Sequence, residues 1–166
     1  MASQVLNIAE QQDADWPQVW AILEPTFRAG ESYPLPRDVD EGDARKYWIK
    51  TDGFNAIARD SNGNLCGVYY IRPDQGGPGD HICNAGYVVS PDQRGRGYAG
   101  ALCQDSLVRA RAMGFAAMKF NLVVADNEPA VKAWRQAGFK IIGTIPEAFR
   151  HPSSGIVDAY IMYQKL

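Results

Sequence analysis

The chain has few of the residues that build metal sites and disulfide frameworks. Only two histidines and three cysteines occur among its 166 residues, and the cysteines are odd in number and widely spaced. No zinc-ligand spacing and no CxxC pattern is present, so we expect reduced thiols in the core. His81 and His151 are too isolated to suggest a metal site, and we expect the protein to use no metal.

Charge of one sign and long apolar runs are also lacking. The formal net charge is -2 and the pI is about 5.7, so no broad electrostatic attraction to nucleic acid or an anionic membrane exists. No stretch approaches the roughly 18 apolar residues of a membrane span. The first residues show no basic region followed by an apolar run. We therefore expect a cytoplasmic protein without nucleic-acid or membrane partners, in which any bound anion is held by a local site.

What remains is ordinary globular composition, with 46% hydrophobic and 22% charged residues. This length suits one domain, and we expect residues 1–166 to form it. Hydrophobic periodicity predicts helices at Asp15–Ala29, Glu41–Lys50, Ala99–Met113 and Glu128–Ala137. It predicts strands at Val5–Ala9, Asn55–Arg59, Leu65–Ile71, Ile82–Val89, Ala117–Val124, Lys140–Ile145 and Ile156–Tyr163. Asp15 should cap the first helix and Gly30 should end it. A hairpin-rich start and a strand–helix alternation afterwards predict an α/β fold with a mixed sheet and helices on both faces.

The segment 87–100, YVVSPDQRGRGYAG, predicts an anion site. An apolar strand runs into a Gly-rich loop and then into a helix, so successive backbone N–H groups point at one spot. Gly95 and Gly97 allow phosphates to approach the backbone without a Cβ in the way. Arg94 and Arg96 add positive charge, and at least one of them could bond a phosphate oxygen.

Several phosphate sites compete for this segment. A P-loop requires Lys-Ser or Lys-Thr after its last glycine, and neither pair is present. Gly95, Gly97 and Gly100 satisfy the G-x-G-x-x-G spacing of a dinucleotide site, but half the chain precedes them and no acidic residue lies at the usual distance, Asp126 being too late. A glycine-rich turn without any ligand is a further alternative.

Arg94, Gly97 and Ala99 also fill the pattern R/Q-x-x-G-x-G/A, and here the chain resembles the GCN5-related N-acetyltransferase (GNAT) superfamily over nearly its full length. The resemblance implies a single GNAT-type α/β (α+β) domain with a central mixed, mostly antiparallel sheet of about seven strands. It implies acetyl-CoA as cosubstrate, a small-molecule amine as acceptor, and the homodimer that is common in the superfamily. The implied cofactor-binding residues are Val88, Val89, Arg94, Gly95, Arg96, Gly97, Tyr98, Ala99, Asn127 and Trp134.

A second signature of the superfamily, N-x-x-A…Y-x-x-x-G-F, resembles the stretch from Asn127 to Phe139. The resemblance places Asn127 beside the pantetheine arm, although an Asn before Pro129 is also a good helix N-cap. The chain departs from the signature at Trp134, where many members have a Tyr that is thought to protonate the departing thiolate. Indole N–H is not a useful acid, so another group protonates the sulfur or the thiolate leaves unaided.

The acceptor side shows a second departure, because Asn84 stands near the position where relatives often carry a Glu as general base. The motifs NAGYVV and FNLV, with GESYP upstream, resemble the fungal acetyltransferases that detoxify azetidine-2-carboxylate and other proline analogues. That resemblance implies that Asn84 and Asn121, which are our candidates for catalytic residues, contact a small amino-acid substrate, with Tyr33 lining the pocket. Alternatively, each asparagine bonds only loop backbone, and Tyr33 is simply packed.

These features predict direct attack of the amine on the thioester, with a backbone N–H near Val88 or Val89 polarising its carbonyl. Three other functions remain open. They are a protein or peptide N-acetyltransferase, a catalytically silent CoA-binding sensor, and a dinucleotide-binding oxidoreductase.

Overall fold

The protein, studied here as a computed structural model that describes residues 6–166, contains seven strands and four α-helices. The strands are β1 (Asn7–Glu10), β2 (Phe54–Arg59), β3 (Leu65–Pro73), β4 (Ile82–Val89), β5 (Ala117–Val124), β6 (Lys140–His151) and β7 (Gly155–Lys165). The helices are α1 (Trp16–Ala29), α2 (Glu41–Trp48), α3 (Tyr98–Ala112) and α4 (Glu128–Gln136). Short 3-10 turns occur at 13–15, 77–79 and 91–93. Among the described residues no helix is long and apolar enough to cross a membrane.

All seven strands form one sheet in the order β1-β2-β3-β4-β5-β7-β6. Every neighbouring pair is antiparallel except β4 and β5, which run parallel. The parallel pair arises because α3 lies between these strands in the chain and provides the crossover that parallel strands require. The prediction of a mixed, mostly antiparallel sheet of about seven strands is therefore confirmed.

The parallel contact between β4 and β5 is short. It pairs Ile82 with Ala117 and Cys83 with Met118, and no further pair of these two strands follows in the described sheet. Beyond Cys83 the strands diverge, so the carboxyl half of β4 has β3 on one side and a gap on the other. The gap ends where the Gly-rich loop begins, which makes this edge the natural position for a ligand between the strands.

The two faces of the sheet are covered by different helices, as predicted. Helices α1 and α2 bury an aromatic-rich cluster against β2, β3 and β4, with Leu23, Phe27 and Trp48 fully enclosed. On the other face α3 packs through Leu102 and α4 through Trp134. Each such side chain contributes about 1.5–3 kcal/mol when fully buried. The divergent strands therefore sit in a rigid frame.

Most predicted boundaries hold within two residues, and those of β4 and β5 are as predicted. Gly30 ends α1 in the left-handed conformation with φ 68°, as predicted. The cap assigned to Asp15 is wrong, because its side chain bonds no amide of α1. Its carboxylate instead accepts from the backbone N–H of Gln12 at 2.8 Å and pairs with Arg59 at 3.2 Å. Val5, the predicted start of the first strand, lies outside the described residues.

Candidate active site

A single cleft of about 1010 Å³ occupies the gap between β4 and β5. All but one of the residues that were predicted to bind the cofactor or the acceptor substrate line this cleft. These are Tyr33, Asn84, Val88, Val89, Arg94, Gly95, Gly97, Tyr98, Ala99, Asn121, Asn127 and Trp134. Arg96 is not among the lining residues. Its guanidinium lies within electrostatic range of the carboxylates of Asp60 and Asp92. Residues that are far apart in sequence thus meet around one space.

The Gly-rich loop forms one end of the cleft. Gly95 and Gly97 have φ values of +77° and +78°, a left-handed conformation that side chains of L-residues rarely adopt. A Cβ added at either glycine would meet no protein atom within 4 Å. α3 starts directly after Gly97 without any side-chain cap. The loop therefore presents backbone and a positive helix end to open space, which suits a diphosphate in size and charge.

Backbone direction along β4 follows from its pairing with β3. The carbonyl of Ile82 accepts from the N–H of Asp74 at 2.8 Å, so the backbone groups of residue 82 point toward β3. In an antiparallel ladder this direction alternates from one residue to the next. The register pairs β4 with β3 as far as residue 89. The N–H of Val88 is thereby directed to β3, and the N–H groups of odd-numbered residues are directed to the gap.

Tyr33 supplies independent support for that direction. Its phenol donates to the carbonyl of Tyr87 at 3.0 Å, and this carbonyl faces away from β3. Burial raises the pKa of Tyr33 well above its ordinary value, so the phenol stays protonated and remains a donor. The loop before α2 is thus tied to the middle of β4. Of the two predicted thioester donors, the alternation leaves the N–H of Val89 facing the cleft.

The other end of the cleft is aromatic and carries one cation that the sequence analysis missed. The guanidinium of Arg72 lies 4.2 Å from the ring centroid of Tyr70 and 5.0 Å from that of Tyr47. It donates to the carbonyl of Tyr47 at 2.7 Å and to the phenol of Tyr70 at 3.3 Å. Both contacts leave other guanidinium N–H groups for a ligand, and all three side chains line the cleft. Arg72 is thus a preorganised anion partner at this end.

Asn84 lies where β4 and β5 separate. Its Nδ2 donates to the carbonyl of Lys119 in β5 at 2.9 Å, and its Oδ1 accepts from the phenol of Tyr70 at 3.3 Å. The amide therefore continues the connection between the strands after the backbone pairing has ended. The sequence allowed two roles for Asn84, a contact with the substrate and a bond to backbone. The structure is compatible with both, because the same side chain bonds backbone and lines the cleft.

Asn121 is more exposed and is held by a neighbouring carboxylate. Its Nδ2 donates to Oδ1 of Asp74 at 2.6 Å. The other oxygen of Asp74 pairs with Nζ of Lys119 at 2.8 Å. Asn84 and Asn121 both line the cleft, from two different strands. Their side chains can therefore act on one small ligand.

The cofactor-side helix α4 starts with a capped turn. Oδ1 of Asn127 accepts from the N–H of Ala130 at 3.3 Å, so the predicted N-cap is confirmed. Trp134 packs against Tyr87 and Phe120 with ring centroids 4.9 and 5.3 Å apart. The indole thus closes the cleft wall with aromatic surface.

The cysteines are buried and without a disulfide, as predicted. Burial is the main cause that raises the pKa of the Cys83 and Cys103 thiols to about 12. Both thiols are therefore neutral near pH 7 and are poor nucleophiles. Nothing in their geometry favours a covalent acyl-enzyme.

His151 also lines the cleft, and the sequence analysis had considered it only as a metal ligand. Its Nδ1 accepts from the backbone N–H groups of Ser153 and Ser154 at 3.3 and 3.2 Å. Nδ1 is thus occupied by backbone donors, and Nε2 is the ring nitrogen left for a ligand. Among the described residues no group of three or more side chains could hold a metal ion.

Comparison with known proteins agrees with this geometry. The sequence model of the Acetyltransferase (GNAT) family matches residues 16–139. N-acetyltransferase aca1 of Schizosaccharomyces pombe is 30% identical over 148 residues, which cover 80% of this chain and 71% of that protein. A mycothiol acetyltransferase of Propionibacterium freudenreichii is 27% identical over 145 residues, and the match covers only 44% of that longer protein.

Solved structures share the fold. A GCN5-related N-acetyltransferase from Kribbella flavida superposes with a TM-score of 0.92 and 37% identity, covering 97% of this chain and 98% of that one. A phosphinothricin acetyltransferase from Sinorhizobium meliloti, solved in complex with acetyl-CoA, has a TM-score of 0.86 at 19% identity, covering 97% and 88% of the two chains. With a diverging β4–β5 pair, a glycine-rich loop before α3 and a family match over most of its length, the chain belongs to the acetyltransferase (GNAT) family and is an N-acetyltransferase of that family.

Proposed function

We propose that this enzyme transfers the acetyl group of acetyl-CoA to the amine of a small molecule that also carries a carboxylate, such as an amino acid or a proline analogue. Residues 1–166 would act as one catalytic domain. The observation that carries the proposal is the continuity of one cleft from Gly95 and Gly97 to Arg72, Asn84 and Asn121. A diphosphate site and an amino-acid-sized polar pocket thereby face one another across the gap in the sheet.

The cofactor end fits the diphosphate of CoA. The space above Gly95 and Gly97 is open, and any side chain there would fill it. An anion at the start of α3 gains about 0.3–1 kcal/mol from the helix dipole, and up to ~2 kcal/mol when partly buried. Arg94 lines the same space and can bond a phosphate oxygen. These groups would hold the cosubstrate with its thioester toward the middle of β4.

The chemical step would be direct attack of the amine nitrogen on the thioester carbonyl. A C–N bond forms, the C–S bond breaks, and CoA departs as a thiolate. Unaided departure is feasible because an ordinary thiol such as that of cysteine has a pKa of only about 8.5. The N–H of Val89 faces the gap and would stabilise the developing oxyanion. Such a donor typically contributes about a hundredfold to a thousandfold in rate. An ordered water would take the proton from the attacking nitrogen and pass it to solvent, since Asn84 cannot accept one in place of the usual Glu, and a pocket that favours the neutral amine would assist the attack.

The acceptor end supports a substrate with two kinds of polar group. Arg72 is held by the Tyr47 carbonyl and by aromatic faces, and its remaining N–H groups suit a carboxylate. The amides of Asn84 and Asn121 also line this end of the cleft and would meet the amine. Tyr33 bonds the backbone of β4 and so narrows the entrance, which favours a small molecule over an extended peptide.

The experiment is a thiol-release assay of acetyl-CoA turnover with matched amines. Proline, azetidine-2-carboxylate and other amino acids would be compared with pyrrolidine and azetidine, which lack the carboxylate, and with short peptides. We expect turnover of carboxylate-bearing amines and little turnover of their decarboxylated partners. Activity on peptides alone would replace the small-molecule function with a peptide N-acetyltransferase, and tight CoA binding without any turnover would indicate a sensor.

A further inference from the structure

Asp74 is a buried carboxylate next to the acceptor pocket. It follows the last residue of β3, and its side chain is only 2% exposed. It accepts from Nδ2 of Asn121 at 2.6 Å and from Nζ of Lys119 at 2.8 Å. Asp74 does not itself line the cleft, whereas Asn121 does. The carboxylate therefore sits behind a residue that faces the substrate.

The chemistry of this contact fixes the orientation of the Asn121 amide. The two ends of an amide are alike in shape, and only hydrogen-bond partners distinguish them. An ionised carboxylate accepts and cannot donate, so the NH2 end of Asn121 must face Asp74. The carbonyl oxygen then occupies the other branch of the side chain. On the side away from Asp74, Asn121 therefore offers its carbonyl oxygen as a hydrogen-bond acceptor and the second N–H of its amide as a donor.

The ionised state of Asp74 is itself secured by its neighbours. Burial acts to raise the pKa of this carboxyl, but the hydrogen bonds from Lys119 and Asn121 outweigh that effect, and its pKa is lowered. Lys119 and Asn121 lie two residues apart on the same face of β5, so both side chains reach Asp74. The cluster thus joins the end of β3 to β5 across the mouth of the gap.

We propose that Asp74 is a positioning residue, which locks Asn121 so that its carbonyl oxygen accepts a hydrogen bond from the N–H of the substrate amine. The inference rests on the proposed function, because it assigns one end of the acceptor to one wall of the pocket. It also gives a direction to the substrate: the nitrogen lies toward β5 and the carboxylate toward Arg72.

The first test is Asp74→Asn, which keeps the shape but offers either an oxygen or an NH2 group to Asn121. The lock is lost, and we expect the KM of the acceptor amine to rise about tenfold, or about 1.4 kcal/mol. The KM of acetyl-CoA should stay within twofold of wild type, which a general loss of structure would not allow. Lys119→Gln is the matched control, because it removes the ion pair and leaves the carboxylate facing Asn121. Its effect on the acceptor KM should be several-fold smaller.

The second test exchanges the two side chains. In Asp74→Asn/Asn121→Asp the donor and the acceptor are reversed, and one oxygen of the new carboxylate at position 121 again faces the cleft. We expect the double variant to recover much of the acceptor KM that Asp74→Asn loses. An unchanged acceptor KM in Asp74→Asn, an equal loss in Lys119→Gln, or no recovery in the exchange would each overturn the inference. If wild type turned over no carboxylate-bearing amine at all, the proposed function itself would fail instead.

Discussion

Replacing Gly86 by alanine should damage the acceptor pocket selectively. Gly86 lies in β4 opposite Tyr70, and an added Cβ would lie 2.6 Å from Cε1, 2.7 Å from Cζ and 2.8 Å from the phenol oxygen of that ring. Ordinary contacts between carbon atoms are about 3.5–4.0 Å, so the ring must move by about 1 Å. Tyr70 is 4% exposed and packs on Trp48 with centroids 4.9 Å apart, which leaves little room for that movement.

Two consequences follow from this displacement. Overpacking of a tight core costs typically 1–3 kcal/mol, so the free energy of unfolding in urea should fall by about that amount. Tyr70 also bonds Asn84 and stacks with Arg72, so the acceptor site moves with it. A misplacement of about 1 Å can cost roughly a hundredfold in rate. We expect kcat/KM for the amine to fall by about that factor while the KM of acetyl-CoA changes little.

The matched control is Gly143→Ala in β6, where the added Cβ would meet only Cδ1 of Ile161 at 3.7 Å, an ordinary contact. It should alter neither stability by more than about 0.5 kcal/mol nor the acceptor kinetics. In a Tyr70→Leu background the same change at Gly86 should cost less, because the opposing ring is gone. Wild-type stability together with wild-type amine kinetics in Gly86→Ala would refute the reasoning.

Four further predictions address other parts of the site. Gly97→Val should raise the KM of acetyl-CoA at least tenfold, whereas Gly63→Val, at a glycine with a similar φ of +83° in open space, should carry a similar backbone strain of about 1–2 kcal/mol without that kinetic effect. Arg72→Met should raise the KM for carboxylate-bearing amines about tenfold and leave decarboxylated amines unaffected, as steady-state kinetics with matched pairs would show. Trp134→Phe should keep kcat within threefold, because the side chain packs and does not supply a proton; a hundredfold loss would assign it a chemical role. Because the pKa of Asp74 is lowered from 3.8 on folding, its ionised form adds stability that is complete above that pH and is lost as the pH falls further. The stability difference between wild type and Asp74→Asn should therefore shrink as the pH falls below about 4 in urea titrations.

The fold could be predicted in some detail because local patterns and tertiary structure agree along most of the chain. Strands β4 and β5 are mostly apolar segments bounded by turn residues, and their predicted bounds match the structure. β6 was predicted to end at Ile145 but extends to His151. Its continuation passes through a bulge that contains Pro146 and Glu147, the latter with φ 52°, and such an irregularity erases the alternation from which a strand is recognised.

The proposed cofactor end of the site could be predicted from the sequence because an anion site of this kind depends on backbone and glycine, which are contiguous in the chain. At the proposed acceptor end, the sequence indicated Tyr33, Asn84 and Asn121 but gave no sign of Arg72 or Asp74. Arg72 and Asp74 sit where β3 runs into a segment rich in Gly and Pro, and there a charged residue looks like a solvated loop residue. Only the folded structure brings these two side chains to their partners in α2 and β5, which are distant in the sequence.

The cap wrongly assigned to Asp15 shows the same limit. A local rule favoured a bond to the helix start, and a longer-range ion pair with Arg59 took the carboxylate instead. Asn127 followed the local rule, since its side-chain oxygen accepts from the N–H of Ala130 in the first turn of α4. Sequence rules of this kind succeed where no tertiary partner intervenes.

The central claim is that backbone amides after β4 hold the diphosphate of acetyl-CoA and direct its acetyl group into the gap between the strands. Isothermal titration calorimetry of acetyl-CoA against the folded protein tests it most directly, with Gly97→Val as the comparison. We predict saturable binding at one site per chain, weakened at least tenfold by the substitution. No measurable binding to well-folded wild-type protein, or equal binding by both proteins, would contradict the account.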